Sequence, residues 1–315
     1  MILSMLREIQ RKIRSKLSFF YENKEIITKK ESILVKKIYH LAKNFEEKDV
    51  NKKKTHIIFS KKVFKLILSK NLINFLQMSF IQQMFFVHNR LFLVSYLLEF
   101  ANSPRWLFWK KIIQENNVGN PVRFFLYPKT SGNKIFQTYH LKTFEDFSKI
   151  KINNFETIYE FGGGFGNLAL TFHNINKKSK YIIFDTFEVN LLQYYYLKKN
   201  NLNPSFKKLD NKNKILLTNS INLLKKKIKF IKSQKNKLFI ANWSLSETPL
   251  DFRKKFNFII DAFDYQLISF QKNFEDIDNL KYFKKIQKRN IQLKRKSIFI
   301  PVKKIKNNFY LLCKK

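Results

Sequence analysis

Four of the six glycines in this sequence fall in one five-residue window, Gly162, Gly163, Gly164 and Gly166, and Glu160 stands just ahead of them. Clustered glycine in a chain otherwise poor in it marks a backbone that turns sharply or lies against something with no side chain between. A second acid, Asp185, comes 19 residues after Gly166, at the end of the apolar run Tyr181-Ile182-Ile183-Phe184. An acid at the tip of a second strand, about 20 residues past such a turn, is positioned to accept hydrogen bonds from the ribose hydroxyls of an adenosine-containing cofactor. With the apolar run before the glycines as a strand and Asn167-Leu168-Ala169-Leu170 as a helix, the layout is the first crossover of a Rossmann-like sheet.

The fingerprint of dinucleotide-binding proteins, counted from Gly162, needs Gly or Ala at 167, where this chain has Asn167. Glu160 followed by alternate glycines 162, 164 and 166 instead resembles motif I of class I S-adenosylmethionine methyltransferases. That cofactor carries no phosphate, so the bend need only let its amino-acid half lie against bare backbone. On this reading Glu160, Gly162, Gly164 and Gly166 seat the methionine half and Asp185 the ribose, with Asn242 as a further cofactor contact.

The elements that must hold these residues follow from periodicity. Residues 1–118 read as a helical region, with apolar positions at helical intervals such as Val63, Leu66, Ile67, Leu72, Phe75 and Leu76. Ser103-Pro104 fits a helix start that puts Trp106 and Trp109 on one face. Gly119-Asn120-Pro121 is a turn, and residues 119–315 read as the cofactor-binding domain. From Phe155 onward short apolar runs alternate with helices, the pattern of a parallel α/β sheet. Strands are expected at 157–161, 180–185, 214–218, 237–242 and 265–271, with helices at 189–200 and 221–233. Segments 297–302 and 308–312 are joined by too few residues for a helical crossover, so they should pair as an antiparallel hairpin. Parallel strands closed by such a hairpin make the methyltransferase sheet and not the dehydrogenase one.

Further blocks carry a narrower resemblance. Gly119-Asn120-Pro121, Thr138-Tyr139-His140-Leu141, the run from Glu160 to Asn167, Phe184-Asp185-Thr186-Phe187-Glu188-Val189 leading into Gln193-Tyr194-Tyr195-Tyr196-Leu197, Asn242-Trp243-Ser244-Leu245-Ser246-Glu247, Ile277-Asp278-Asn279 and Asn308-Phe309-Tyr310-Leu311 make residues 119–315 similar to the sugar O-methyltransferases of bacterial surface-glycan gene clusters. Members of that family usually carry Asp-Leu-Pro where this chain has Asp185-Thr186-Phe187. The resemblance implies methylation of a hydroxyl on a sugar or glycan. A methyltransferase acting on RNA or protein, or an inactive scaffold with this fold, are the alternatives.

Methyl transfer to a sugar hydroxyl calls for a base, because the hydroxyl is a poor nucleophile at neutral pH. Glu247, after the fourth strand, and His140, whose imidazole can be tuned near pH 7, are the catalytic candidates; Asp264 is a weaker one. The competing reading of the Glu247 segment has Ser246 capping the next helix. Trp243 is a candidate wall for a ring, and Asp210 a candidate adenine contact. His173 is expected to face away. No His, Asp and Glu residues recur at metal-ligand spacing, so no metal site is assigned, with a Mg²⁺-assisted mechanism as the alternative.

The formal charge of +39 rests on 62 basic residues, of which only nine are Arg. Base reading and phosphate clamping favour the bidentate fork of Arg. Lys, Asn, Ile and Phe are inflated together while Ala, Gly and Arg are depleted, a compositional bias independent of function. No specific nucleic-acid partner is therefore expected. The single Cys313 excludes an intrachain disulfide and suggests a reducing compartment. The segment around Arg7, Glu8, Arg11 and Arg14 lacks a secretory apolar core. The stretch 72–100 is broken by Gln77, Gln82, Gln83, His88, Asn89 and Arg90, short of a membrane span. A cytoplasmic protein is expected, with peripheral membrane contact as an alternative.

Overall fold

The computed structural model describes residues 28–44, 54–85, 89–233 and 235–315. The Arg7–Arg14 segment and His88 lie outside the described residues. The chain divides into two compact units. One contains residues 59–140 and 195–202 together with the first described segment; the other contains residues 54–58, 141–194 and 203–315.

The first unit is helical. Its elements include α1 (Lys29–Lys43), most of α2 (Lys54–Leu68), α3 (Ser79–Met84), α4 (Leu93–Ala101) and α5 (Trp106–Ile112), and the longer α6 (Gly132–Ser148) begins in it. The helical spacing read from the sequence is the packing that forms: Val63, Leu66, Ile67, Leu72, Phe75 and Leu76 are all buried. The helix after Pro104 starts two residues later than that proline. A turn closed by the Trp106 amide on the Ser103 carbonyl (2.9 Å) comes first. Tyr96 and Tyr139 stack at 3.7 Å, and Glu99 accepts the Tyr139 hydroxyl at 2.7 Å. Among the described residues no helix is long and apolar enough to cross a membrane.

The second unit is built on one sheet. Its strands are β1 (Thr157–Phe161), β2 (Lys180–Phe184), β3 (Pro204–Ser205), β4 (Ile215–Thr218), β5 (Lys237–Asn242) and β6 (Tyr265–Gln271). A small pair follows, β7 (Asn273–Phe274) with β8 (Ile277–Asp278), and then β9 (Lys296–Pro301) and β10 (Asn308–Lys314). The eight-stranded order is β3-β4-β2-β1-β5-β6-β10-β9. Strands β3 to β6 run parallel with β1 and β2, whereas β10 is antiparallel to both β6 and β9. This is the Rossmann-like methyltransferase sheet expected from the sequence, hairpin included.

The central strands are largely apolar because a parallel sheet covered on both faces leaves no solvated side. β1, for example, is buried at all five positions. Helix α7 (Asn167–Ile175) links β1 to β2, α8 (Phe187–Lys199) follows β2, and α9 (Ile221–Ser233) follows β4. The strand order reverses at β1, with β2 on one side and β5 on the other. In open parallel sheets the crevice at the carboxyl ends of strands flanking such a point is where ligands bind.

Candidate functional site

The bend after β1 is shaped by its glycines in two ways. Gly162 takes φ +73°, a left-handed conformation costly for any residue with a Cβ. A Cβ there would overlap the side chain of Ser244, whose hydroxyl donates to the Phe161 carbonyl. Gly163 is needed for close approach: a Cβ would lie 2.6 Å from Ile183 Cγ2, 3.1 Å from Glu160 Oε2 and 3.3 Å from Gln193 Nε2. Bareness at these two positions therefore serves the protein's own packing. Gly162 and Gly164 are half-buried, which leaves their backbone partly open, while Gly166 is buried and forms the left-handed entry to α7.

Glu160 points off a strand with no solvent beside it and is 3% exposed. Its Oε2 accepts the Tyr181 hydroxyl from β2 at 2.8 Å. Desolvation pushes its pKa up to about 8; the Tyr181 bond opposes this, and the neighbouring charge of Asp185 adds to it. Asp185, directly after β2, accepts the Thr186 amide on Oδ1 (2.8 Å) and the Gln193 carboxamide on Oδ2 (3.0 Å). The Gly163 amide also donates to it, so this acid is tied to the bend. Burial dominates here too and raises its pKa to about 7, with Glu188 adding repulsion.

The structure thus joins Glu160, the glycine bend and Asp185 into one cluster. Gln193, which chemistry-by-spacing did not single out, connects its parts by donating to Gly164 O at 2.9 Å as well as to Asp185. The available signal was a lone polar residue in the otherwise apolar and aromatic run Leu191-Leu192-Gln193-Tyr194-Tyr195-Tyr196-Leu197.

Across the reversal point, β5 ends at Asn242, whose Oδ1 accepts the Ser269 hydroxyl at 2.9 Å. Trp243 follows with φ +60° and ψ −36°, a conformation that non-glycine residues rarely hold and that clusters at functional sites. Its indole is buried and donates to Asn308 Oδ1 at 2.6 Å, so it is a packed residue anchored to β10. Ser246 does not cap a helix. It lies inside a short 3₁₀ turn (Ser244–Glu247), with its hydroxyl 2.5 Å from the Trp243 carbonyl and 2.8 Å from Gln271 Oε1. The next helix, α10 (Leu250–Lys254), starts after Pro249 with no side-chain cap.

Glu247 is half-buried at the end of that turn, within 3.5 Å of Gln271 Nε2. The turn is held from beneath by Arg253, which is fully buried and donates to Ser246 O (2.5 Å), Thr248 O (2.7 Å) and Asn279 Oδ1 (2.7 Å). Because β1, β2 and β5 are parallel, Glu160, Asp185, Asn242 and Glu247 all belong to the carboxyl end of the sheet.

The other candidates fall elsewhere. His140 is fully buried in α6, its ring edge-on to Phe136 at 4.4 Å, and desolvation lowers its pKa to about 3. This corrects the expectation of an imidazole titrating near neutrality; His140 is neutral at pH 7 and enclosed. Asp264 precedes β6 and so sits at the amino end of a parallel strand, paired with Lys237 (3.2 Å) and Arg295 (3.4 Å), away from the carboxyl-end crevice. Asp210 binds back to the Asn213 amide (2.6 Å) and shapes its own loop. His173 is half-exposed in the last turn of α7. Among the described residues no three His, Cys, Asp or Glu groups converge as a metal site.

No protein-family model and no curated protein matches this sequence. Solved structures similar to it include the ribosomal protein L11 methylase of Lactobacillus delbrueckii subsp. bulgaricus, at 15% identity over 57% of this chain and 79% of that one, TM-score 0.35. The precorrin-6y C5,15-methyltransferase of Geobacter metallireducens GS-15 is similar at 13% identity over 57% of this chain and 89% of that one, TM-score 0.35. MtNAS in complex with MTA and tNA is similar at 12% identity, TM-score 0.35, over 91% of this chain and 97% of that one.

Proposed function

We propose that this protein is an S-adenosylmethionine-dependent O-methyltransferase whose acceptor is a hydroxyl of a sugar or glycan. The observation that carries the cofactor reading is the pair of acids, buried Glu160 and half-buried Asp185, gathered at one glycine bend at the carboxyl end of a parallel sheet. Desolvation raises the pKa of both acids and the Asp185 charge raises that of Glu160 further, so a cationic ligand lowers the cost of ionising them. S-adenosylmethionine carries two positive groups and a ribose, and no phosphate for the bend to hold. The residues therefore fit it better than they fit a pyrophosphate.

When bound, the cofactor supplies a methyl group on a sulfonium centre that is its own leaving group. Asp185 would accept the ribose hydroxyls, Glu160 and the backbone at Gly162 and Gly164 would face the methionine half, and Asn242 lies at the opposite rim. The protein's remaining tasks are to hold the acceptor in line and to take up its proton. In-line positioning alone can be worth several kcal/mol. Glu247 is the candidate base: its carboxylate would accept the hydroxyl proton, and the Arg253-anchored turn fixes where that carboxylate stands. His140 is set aside from this role by its burial. The sugar acceptor is supported by the sequence blocks across residues 119–315. Scarce Arg among the basic residues argues against RNA.

The test is calorimetric titration with S-adenosylmethionine, followed by assay of S-adenosylhomocysteine release with nucleotide-linked sugars, RNA and protein as acceptors. Wild type binds, and Asp185→Ala loses binding. Unchanged affinity in Asp185→Ala removes the ribose assignment, and turnover on RNA or protein alone replaces the sugar.

A further inference from the structure

Gln193 lies two helical turns beyond Asp185, yet its side chain returns to the bend. Both carboxamide N–H groups are used, on Gly164 O at 2.9 Å and Asp185 Oδ2 at 3.0 Å. Because both partners are acceptors, the orientation of the amide is fixed and its oxygen must point elsewhere. That oxygen is buried with no hydrogen-bond partner, and the residue as a whole is fully enclosed. An unpaired buried acceptor is destabilising, because its lost hydration is not replaced. A methionine of similar volume would fill the space without that cost, so packing alone does not account for a glutamine here.

Gly163 supplies the second observation. A Cβ at that position would come 3.3 Å from Gln193 Nε2, so the bare backbone leaves the carboxamide room to reach across. Bend and glutamine are fitted to each other.

Resting on the cofactor reading above, we propose that Gln193 is a positioning residue that locks the Asp185 carboxylate to the glycine bend, so that the ribose meets an acid already oriented. Thr186 fixes one carboxylate oxygen and Gln193 the other, which sets the carboxylate plane relative to the Gly164 carbonyl. A free carboxylate at a strand tip would have to surrender that rotational freedom on binding, a loss that preorganisation avoids. Among the described residues, the charged groups that act on or are acted on by Asp185 are Glu160 from β1 and Glu188 from α8, with Tyr181 from β2 bound to Glu160. None of them supplies a cation, so the donors Thr186, Gly163 and Gln193 are what favour its ionised form.

The test uses the full-length chain with Gln193→Met and Gln193→Glu, titrated with S-adenosylmethionine and S-adenosylhomocysteine across about pH 6 to 9. Gln193→Met should bind both ligands about ten-fold more weakly, the loss expected for one hydrogen bond to a charged group. The pH below which affinity falls should also move upward, because a donor to the carboxylate is gone. Gln193→Glu, of equal size, should lose more than Gln193→Met at the alkaline end, and it carries the test if the methionine variant fails to fold. Affinities and pH midpoints equal to wild type in the folded variant overturn this proposal and leave the cofactor reading standing. A wild-type protein that binds neither ligand overturns both.

Discussion

Tyr181 and Glu160 meet between adjacent parallel strands, hydroxyl to carboxylate at 2.8 Å, where neither side chain has solvent beside it. The bond supports the ionised form of Glu160, but desolvation outweighs it and leaves the pKa near 8. Tyr181 shifts in the same direction: burial and the Glu160 charge raise its pKa well above the ordinary value, so it stays a donor. The result is a carboxyl group that retains its proton at neutral pH in the ligand-free protein.

The first prediction follows from the sign of that shift. A carboxyl with folded pKa above its unfolded value adds full stability below the unfolded value, and that stability is lost as pH rises through the folded one. The ligand-free protein should therefore lose stability between about pH 4.5 and about pH 8 on account of Glu160. Asp185 acts in the same direction from about pH 3.8 to about 7. Glu160→Gln keeps an acceptor for Tyr181 and removes the ionisation, so it should exceed wild type in stability at pH 8 by an amount on the order of 3 kcal/mol. The gap should narrow towards about pH 5. Urea unfolding at both pH values measures it, and a variant destabilised equally at both would contradict the burial argument. In the same variant S-adenosylmethionine should bind more weakly, since a negative partner is lost.

Much of this arrangement was legible in the sequence, for identifiable reasons. Buried parallel strands are continuous apolar runs, so β1, β2, β4, β5 and β6 stood out, and the short link before β10 required a hairpin. Glycines so concentrated in a glycine-poor chain left little choice about the bend. Gln193 was harder, because sequence spacing does not say that a side chain two turns into a helix comes back to the strand it left. The competing reading of Ser246 as a helix cap rested on a serine one residue before Glu247; the 3₁₀ turn and the Gln271 bond claim that serine instead. Asp264 could have been set aside from sequence alone: a residue that precedes a parallel strand sits at the end opposite the crevice. His140 could not, since only three-dimensional packing shows that its ring is enclosed.

The second prediction concerns Gly163. An added methyl group would press against Ile183 Cγ2 at 2.6 Å, a packed strand side chain with little room to yield, and crowd Glu160 and Gln193. Overpacking of this kind typically costs about 1–3 kcal/mol. Gly163→Ala should be destabilised by about that amount in chemical denaturation and should bind S-adenosylmethionine more weakly, because Glu160 and Gln193 are both displaced. A variant as stable as its parent would mean that β1 and β2 can separate at their tips.

The third prediction separates the two rims of the crevice. Among the described residues Arg253 makes no salt bridge, though the charge of Glu247 favours its ionised form; its guanidinium holds two carbonyls of the Glu247 segment and Asn279, and faces the Tyr282 ring at 5.0 Å. Burial lowers its pKa only to about 10, so it is charged at neutral pH. Three donors pointing in three directions suit the planar fork of Arg and cannot be matched by one ammonium group. Arg253→Lys should therefore loosen the turn from Ser244 to Glu247, lowering stability by about 2 kcal/mol as hydrogen bonds from a buried charge are lost. The acids that face the cofactor lie on β1 and after β2, outside this network. Cofactor affinity should stay at the wild-type value while turnover on the acceptor falls, a split between Kd and kcat that titration and a rate assay on the same preparation resolve. Loss of cofactor affinity in step with turnover would show that the Arg253 turn supports the acid pair as well, and Glu247 would lose its separate role.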